Sequence, residues 1–119
     1  LLKEDAVSQG IADRVIFVVG SDFGRTPGYN SGNGKDHWPV TSMMMMGAGI
    51  SGNRVIGAST HRHDALKVNP TSLLPDENGI NITPAHIHQA LRKFSGIDTQ
   101  QLITQYYPIS GVEDLPIFT

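Results

Sequence analysis

Residues 14–20 read RVIFVVG, and this unbroken apolar run constrains the chain more than any other feature. A strand with one solvated face alternates apolar and polar positions, whereas a strand covered on both faces does not. The run therefore predicts a doubly covered strand in an α/β sheet. The preceding segment agrees: Leu2, Ala6 and Val7 keep helical spacing and Gly10 offers a stop, so residues 1–13 read as the end of a helix feeding that strand.

From Ser21 to Pro39 the composition shifts to Gly, Asn, Ser, Asp and Pro, which supply turns but no apolar face. A loop this long, directly after a buried strand, is placed for function, because ligands of open α/β sheets bind beyond the carboxyl ends of strands. Beyond it, Thr41 to Met46 (TSMMMM) reads as a second strand filled with flexible buried side chains rather than as a soft-metal surface. Arg54 to Ala58 (RVIGA) reads as a third, weaker strand, and Thr60 to Gly79 as mostly loop. A helix then follows, with Thr83 as N-cap, Pro84 in its first turn, Ile87, Leu91 and Phe94 along one face and Gly96 as its end. Residues 99–119 are expected to form an irregular tail holding one short helical turn over 99–106.

A chain of 119 residues can bury roughly two-thirds of its unfolded surface, so a single domain over 1–119 is expected. Nine Lys and Arg against eleven Asp and Glu leave no basic excess to neutralise phosphates, which argues against nucleic-acid partners. The absence of cysteine excludes disulfides, zinc-thiolate sites and thiol nucleophiles. No apolar stretch approaches the roughly 20 residues of a membrane helix, so no membrane partner is expected. The start, Leu-Leu-Lys-Glu, carries neither an initiator Met nor a targeting pattern, and a fragment of a longer chain is expected.

Several motifs fail on their context. Gly47-Ala-Gly-Ile-Ser-Gly52 fits the dinucleotide fingerprint, but Asn53 to Ser59 reads as strand rather than helix, so a glycine turn is expected. Gly28 to Lys35 approaches a P-loop, yet has one residue too many and Asp36 where a hydroxyl is needed. Asn81-Ile82-Thr83 is a formal glycosylation sequon without a secretory context. His86 and His88 lie two apart on the helix and point different ways, which fits surface or capping duty better than shared ligation.

Asp22, Arg25, Asp36 and His37 all lie in the loop after the strand. Asp36 and His37 offer one hard oxygen and one imidazole nitrogen, a pair suited to zinc, manganese or iron, and Asp22 at the strand end could bring a second carboxylate to the same pocket. Arg25 could fork onto a tetrahedral anion. The plainer alternative is that Asp36 caps a turn, His37 and Trp38 pack locally and Arg25 is solvated. His61 and His63, in Thr60-His-Arg-His-Asp64, could add a ligand if their loop folds back over the strand ends; otherwise they are exposed loop histidines.

The segment VIFVVGSDFGRTPGYNSGNGKDHWP resembles the signature of a bacterial family called domain of unknown function 1501, of the alkaline phosphatase superfamily. The elements that match are Asp22-Phe-Gly-Arg-Thr-Pro27 and Gly34-Lys-Asp-His-Trp-Pro39. The likeness extends through Met43 to Gly52, Val55 to Ala58 and the stretch from Ile82 to Asp98, covering about the first 100 residues. It implies an α/β fold in which this chain is the C-terminal portion of an alkaline-phosphatase-like sheet flanked by helices. It also implies that Asp36 and His37 fall on the family's Asp-His ligand pair, Asp22 on its acidic position (usually Glu), and Arg25 on an arginine that would clamp an oxyanion. His61 and His63, without a firm counterpart, are further candidate ligands. The implied cofactor is a divalent metal, namely zinc, manganese or calcium, and the implied partners are a small anionic ester and the remainder of the parent chain.

In the superfamily the nucleophile and the first ligands precede the part matched here, so this chain alone is expected to lack turnover. A twin-arginine signal in that absent region would imply a periplasmic or exported protein. The implied function is that of a segment of a metal-dependent phosphatase- or sulfatase-like hydrolase; the alternative is a non-catalytic binding or assembly protein that keeps the fold.

Overall fold

The helical spacing at the start of the chain is realised as α1 (Leu2–Ser8), with Ala6 buried. In the computed structural model, which describes residues 2–118, the architecture is mixed α and β, with short helices and two small antiparallel sheets. The chain divides into two compact units. One runs to Gly52 and resumes over Ser59–Ala65; the other holds Asn53–Ala58 and the chain from Leu66 onward.

In the first unit, a 3-10 turn (Ala12–Arg14) leads into β1 (Ile16–Val19), followed by β2 (Gly24–Arg25), β3 (His37–Trp38) and β4 (Met44–Gly47). β1 pairs antiparallel with β4, Ile16 opposite Gly47 and Val19 opposite Met44. Since side chains alternate across a strand and cross-strand partners share a face, Phe17, Val19, Met44 and Met46 stand on one side, and Ile16, Val18 and Met45 on the other.

This corrects the expectation of a strand covered on both faces. Val18 is 45% and Val19 55% exposed, and Met43, Met44 and Met46 are exposed rather than buried. Apolarity in sequence records that a segment is better out of water; it does not specify what covers it. Downstream, the glycine-rich residues 47–52 continue into a turn and irregular chain, with no helix to hold a pyrophosphate.

The second unit is organised by α2 (Pro84–Phe94). Thr83 is its N-cap in extended conformation and Pro84 opens its first turn. His86 fills the place usually taken by Glu or Gln in a capping box: its Nδ1 accepts the Thr83 amide at 3.1 Å while the Thr83 side chain receives the His86 amide. His86 is 5% exposed and His88 is exposed, so the two do point different ways. At the other end, the amides of Gly96 and Ile97 bond back to the carbonyls of Lys93 and Arg92, both at 3.0 Å. This Schellman closure needs a left-handed residue, and Gly96 supplies it at φ 66°.

Ala90 on α2, together with Val68, Leu73, Leu115 and Ile117, is buried, and Val68 is wholly inaccessible. Val68 exchanges two backbone hydrogen bonds with Ile80, at 2.8 and 2.9 Å, so the irregular 60s and 70s are pinned at one apolar point. The expected strand over 54–58 does not form. Val55 is 87% exposed, and this stretch is held instead by single contacts: the Ala58 carbonyl accepts from Leu66 at 2.9 Å, and Arg54 Nη2 donates to the Ile117 carbonyl at 2.7 Å. Five residues of strand propensity do not make a strand without a partner to receive their hydrogen bonds. The helical turn expected over 99–106 is α3 (Gln101–Tyr106).

Candidate functional site

The polar stretch after β1 is a closed loop. Its ends are joined by the two-residue ladder of β2 and β3, which sets Gly24 opposite Trp38 and Arg25 opposite His37. The approach is tight: a Cβ on Gly24 would lie 1.9 Å from the Val40 carbonyl oxygen, so glycine alone fits there. Cross-strand partners share a face, which puts Arg25 and His37 side by side, and Phe23, two residues before Arg25, joins them. The His37 ring stacks on Phe23 with centroids 3.6 Å apart and planes 18° from parallel, and the Arg25 guanidinium carbon stands 5.0 Å from the same ring centroid. Arg25 Nη1 also donates to the Lys35 carbonyl at 2.9 Å. One bond and one ring contact thus hold the guanidinium, leaving most of its five donors for another acceptor.

Asp36 is fixed at both its backbone and its side chain. The Thr26 amide donates to the Asp36 carbonyl at 3.0 Å, and the Asp36 amide donates to Thr26 Oγ1 at 3.1 Å. Its Oδ1 accepts from Asn30 Nδ2 at 2.8 Å. Asn30 Oδ1 in turn accepts from the amides of Gly32 and Gly34, each at 3.0 Å, and ties the loop tip together.

The 60–64 turn does fold back onto this ladder. Thr60 Oγ1 accepts the amides of Arg62 and Asp64 at 3.1 and 3.2 Å and shapes the turn, with His63 in left-handed conformation at φ 63°. Trp38 Nε1 donates to the His63 carbonyl at 2.8 Å, and His63 Nδ1 lies 3.3 Å from the Arg25 carbonyl. A carbonyl oxygen only accepts, so Nδ1 is the donor in this contact, and in the neutral tautomer that makes it, Nε2 holds the lone pair. A histidine whose Nδ1–H is anchored on a backbone carbonyl is oriented to offer Nε2 as a ligand or base.

The structure therefore gathers Arg25, His37 and His63 around β2 and β3, and turns Asp36 into the loop. Asp22 and His61 are exposed and take no part in these contacts. Among the described residues, no group of three or more His, Asp or Glu side chains stands ready to hold a metal ion. Phe23, Thr26, Asn30 and Trp38 are the ordering residues that reading for donors overlooks. Asn30 did carry a signal: Asn followed by glycine two and four positions on is the pattern of a side chain capping its own loop.

A family model described as "Protein of unknown function (DUF1501)" matches residues 1–108. No curated protein and no solved structure matches the chain.

Proposed function

The chain belongs to the DUF1501 family, and from the geometry of its loop we propose that residues 21–39 and 60–64 form the oxyanion-binding platform of a phosphate- or sulfate-ester hydrolase of the alkaline phosphatase and sulfatase type. The observation that carries this reading is the register that sets Arg25 opposite His37, with the His63 carbonyl and ring docked on the same ladder. The Arg25 guanidinium on this ladder favours an anionic group, and it is held in advance by Phe23 and the Lys35 carbonyl.

A divalent ion such as zinc, manganese or calcium is what the family likeness implies, but the residues as placed do not fit one: Asn30 bonds Asp36 into the loop, His37 stacks on Phe23, and no group of three or more His, Asp or Glu stands together among the described residues. Arg25 binds the equatorial oxygens as charge builds on them, and its restrained fork requires no rearrangement to do so.

Calorimetric titration with inorganic phosphate should show binding that is weakened at least about tenfold in Arg25→Ala. Unchanged phosphate affinity in Arg25→Ala overturns the assignment. A second reading, a binding or assembly protein without turnover, draws on the lack of a three-donor group among the described residues and on the exposed apolar ribbon of β1 and β4. It predicts phosphate affinity that is indifferent to Arg25→Ala.

A further inference from the structure

We infer that Met44 and Met46 form an oxidant-responsive modification site, at which conversion of the two thioethers to sulfoxides turns one face of the β1–β4 ribbon from apolar to polar while the ribbon itself persists. All four methionines of the chain, Met43 to Met46, follow one another into and along β4. Met44 is 53% and Met46 43% exposed, whereas Met45 between them is half-buried. The alternation follows from the strand. Met44 and Met46 share a face with their cross-strand partners Val19 and Phe17, and Met45 stands on the other face with Val18. Strand pairing thus sorts chemically identical side chains by their access to a soluble oxidant, and access is what decides which thioether reacts.

With hydrogen peroxide as the oxidant, a sulfur lone pair attacks one peroxide oxygen. An S–O bond forms, the O–O bond breaks, and the second oxygen leaves as water after taking up the proton of the transferred hydroxyl. The sulfur loses two electrons and the peroxide gains them. Each sulfoxide adds a polar acceptor oxygen to a side chain that had been apolar. In a packed interior that oxygen would be stranded without a donor, at a high cost. On Met44 and Met46 it reaches water, and the bonds that hold β4 are those of its backbone with β1, which the methionine side chains do not make. The ribbon therefore tolerates the modification, and what changes is the surface it presents beside Phe17 and Val19.

The test exposes the whole chain to a graded series of hydrogen peroxide and maps oxygen addition at each methionine by tandem mass spectrometry. Met44 and Met46 should oxidise at least about threefold faster than Met45, in line with their exposure, while far-UV circular dichroism stays unchanged. Binding of the apolar dye ANS, which reports exposed apolar surface, should fall about twofold or more in step with oxidation of Met44 and Met46. It should return on treatment with methionine sulfoxide reductases acting on both sulfoxide epimers. The double variant Met44→Leu with Met46→Leu, which keeps size and apolarity, should bind ANS as the wild type does and retain that binding in peroxide. The comparison with Met45 is made within the wild-type chain, so it decides the matter even where the double variant fails to fold. Met45 keeping pace with its neighbours, loss of the β signal on oxidation, or an equal fall of ANS binding in the double variant each overturns the proposal.

Discussion

The two units hold themselves together by different means. The second has an apolar interior, in which Val68, Leu73, Ala90, Leu115 and Ile117 are buried around α2. In the first, Ala6 is the one buried hydrophobic among the described residues, and its order comes from hydrogen bonds at loop residues: Asn30 to Asp36, Thr26 to Asp36, Trp38 to His63. The difference separates rigidity from burial. An exposed side chain gains little orientation from packing, so its orientation has to be enforced by directional bonds. Hydrogen bonds do this at the surface, each adding only about 1 kcal/mol of net stability.

Truncating one apolar side chain in each unit gives the largest expected contrast. Leu115→Ala removes a buried side chain and should cost about 2–5 kcal/mol. Met44, 53% exposed on the β ribbon, should lose under about 1 kcal/mol when changed to Ala, because little of its surface leaves water on folding. Urea unfolding monitored by circular dichroism measures both. Equal losses would break the contrast and show that the ribbon is covered in solution.

Trp38→Phe probes the bonded unit with a smaller effect. It retains an aromatic ring but removes the donor to the His63 carbonyl, at an expected cost of about 0.5–1.5 kcal/mol. The informative readout is the His63 imidazole. Its 15N shifts should report a single Nδ1–H form in the wild type and a mixture of tautomers in the variant, since the turn that presses Nδ1 against the Arg25 carbonyl is no longer pinned. A single tautomer in both would mean that Thr60 alone sets the turn.

The same division explains what could be read from sequence. α2 was legible from end to end because its signals are local: Thr83, Pro84, the Ile87 and Leu91 face and Gly96 each act within a turn or two of their own position. The position of β1 was legible too, but its covering was not, since RVIFVVG does not encode the antiparallel partner Met44–Gly47 or the exposure of Val18 and Val19. The 54–58 strand failed for the same reason, lacking a distant partner. In the candidate site, Asp36, His37 and Arg25 stood out by residue type and by their place in the loop after β1. Their supports did not, because Trp38 meets His63 across 25 residues and nothing local to either marks the contact.

The smallest effect lies at the rim of the packed unit, where Lys93 on α2 bonds the carboxylate of Asp114. The hydrogen bond from Lys93, helped by its charge and by a hydrogen bond from Gln89, holds the Asp114 carboxyl below its usual range against the opposing effect of burial. A carboxyl lowered in the folded state adds stability at pH values above the unfolded carboxylate range, and that stability is lost as pH falls through the lowered value. Both side chains are about half exposed, so screening by solvent limits the pair to a few tenths of a kcal/mol. Lys93→Gln should therefore shift the urea midpoint slightly at neutral pH, less in about 1 M salt, and progressively less as pH falls and the carboxyl is protonated in folded and unfolded chains alike. A loss comparable to that of Leu115→Ala, persisting in salt, would mean that the C-terminal segment is held on α2 by charge rather than by the burial of Leu115 and Ile117.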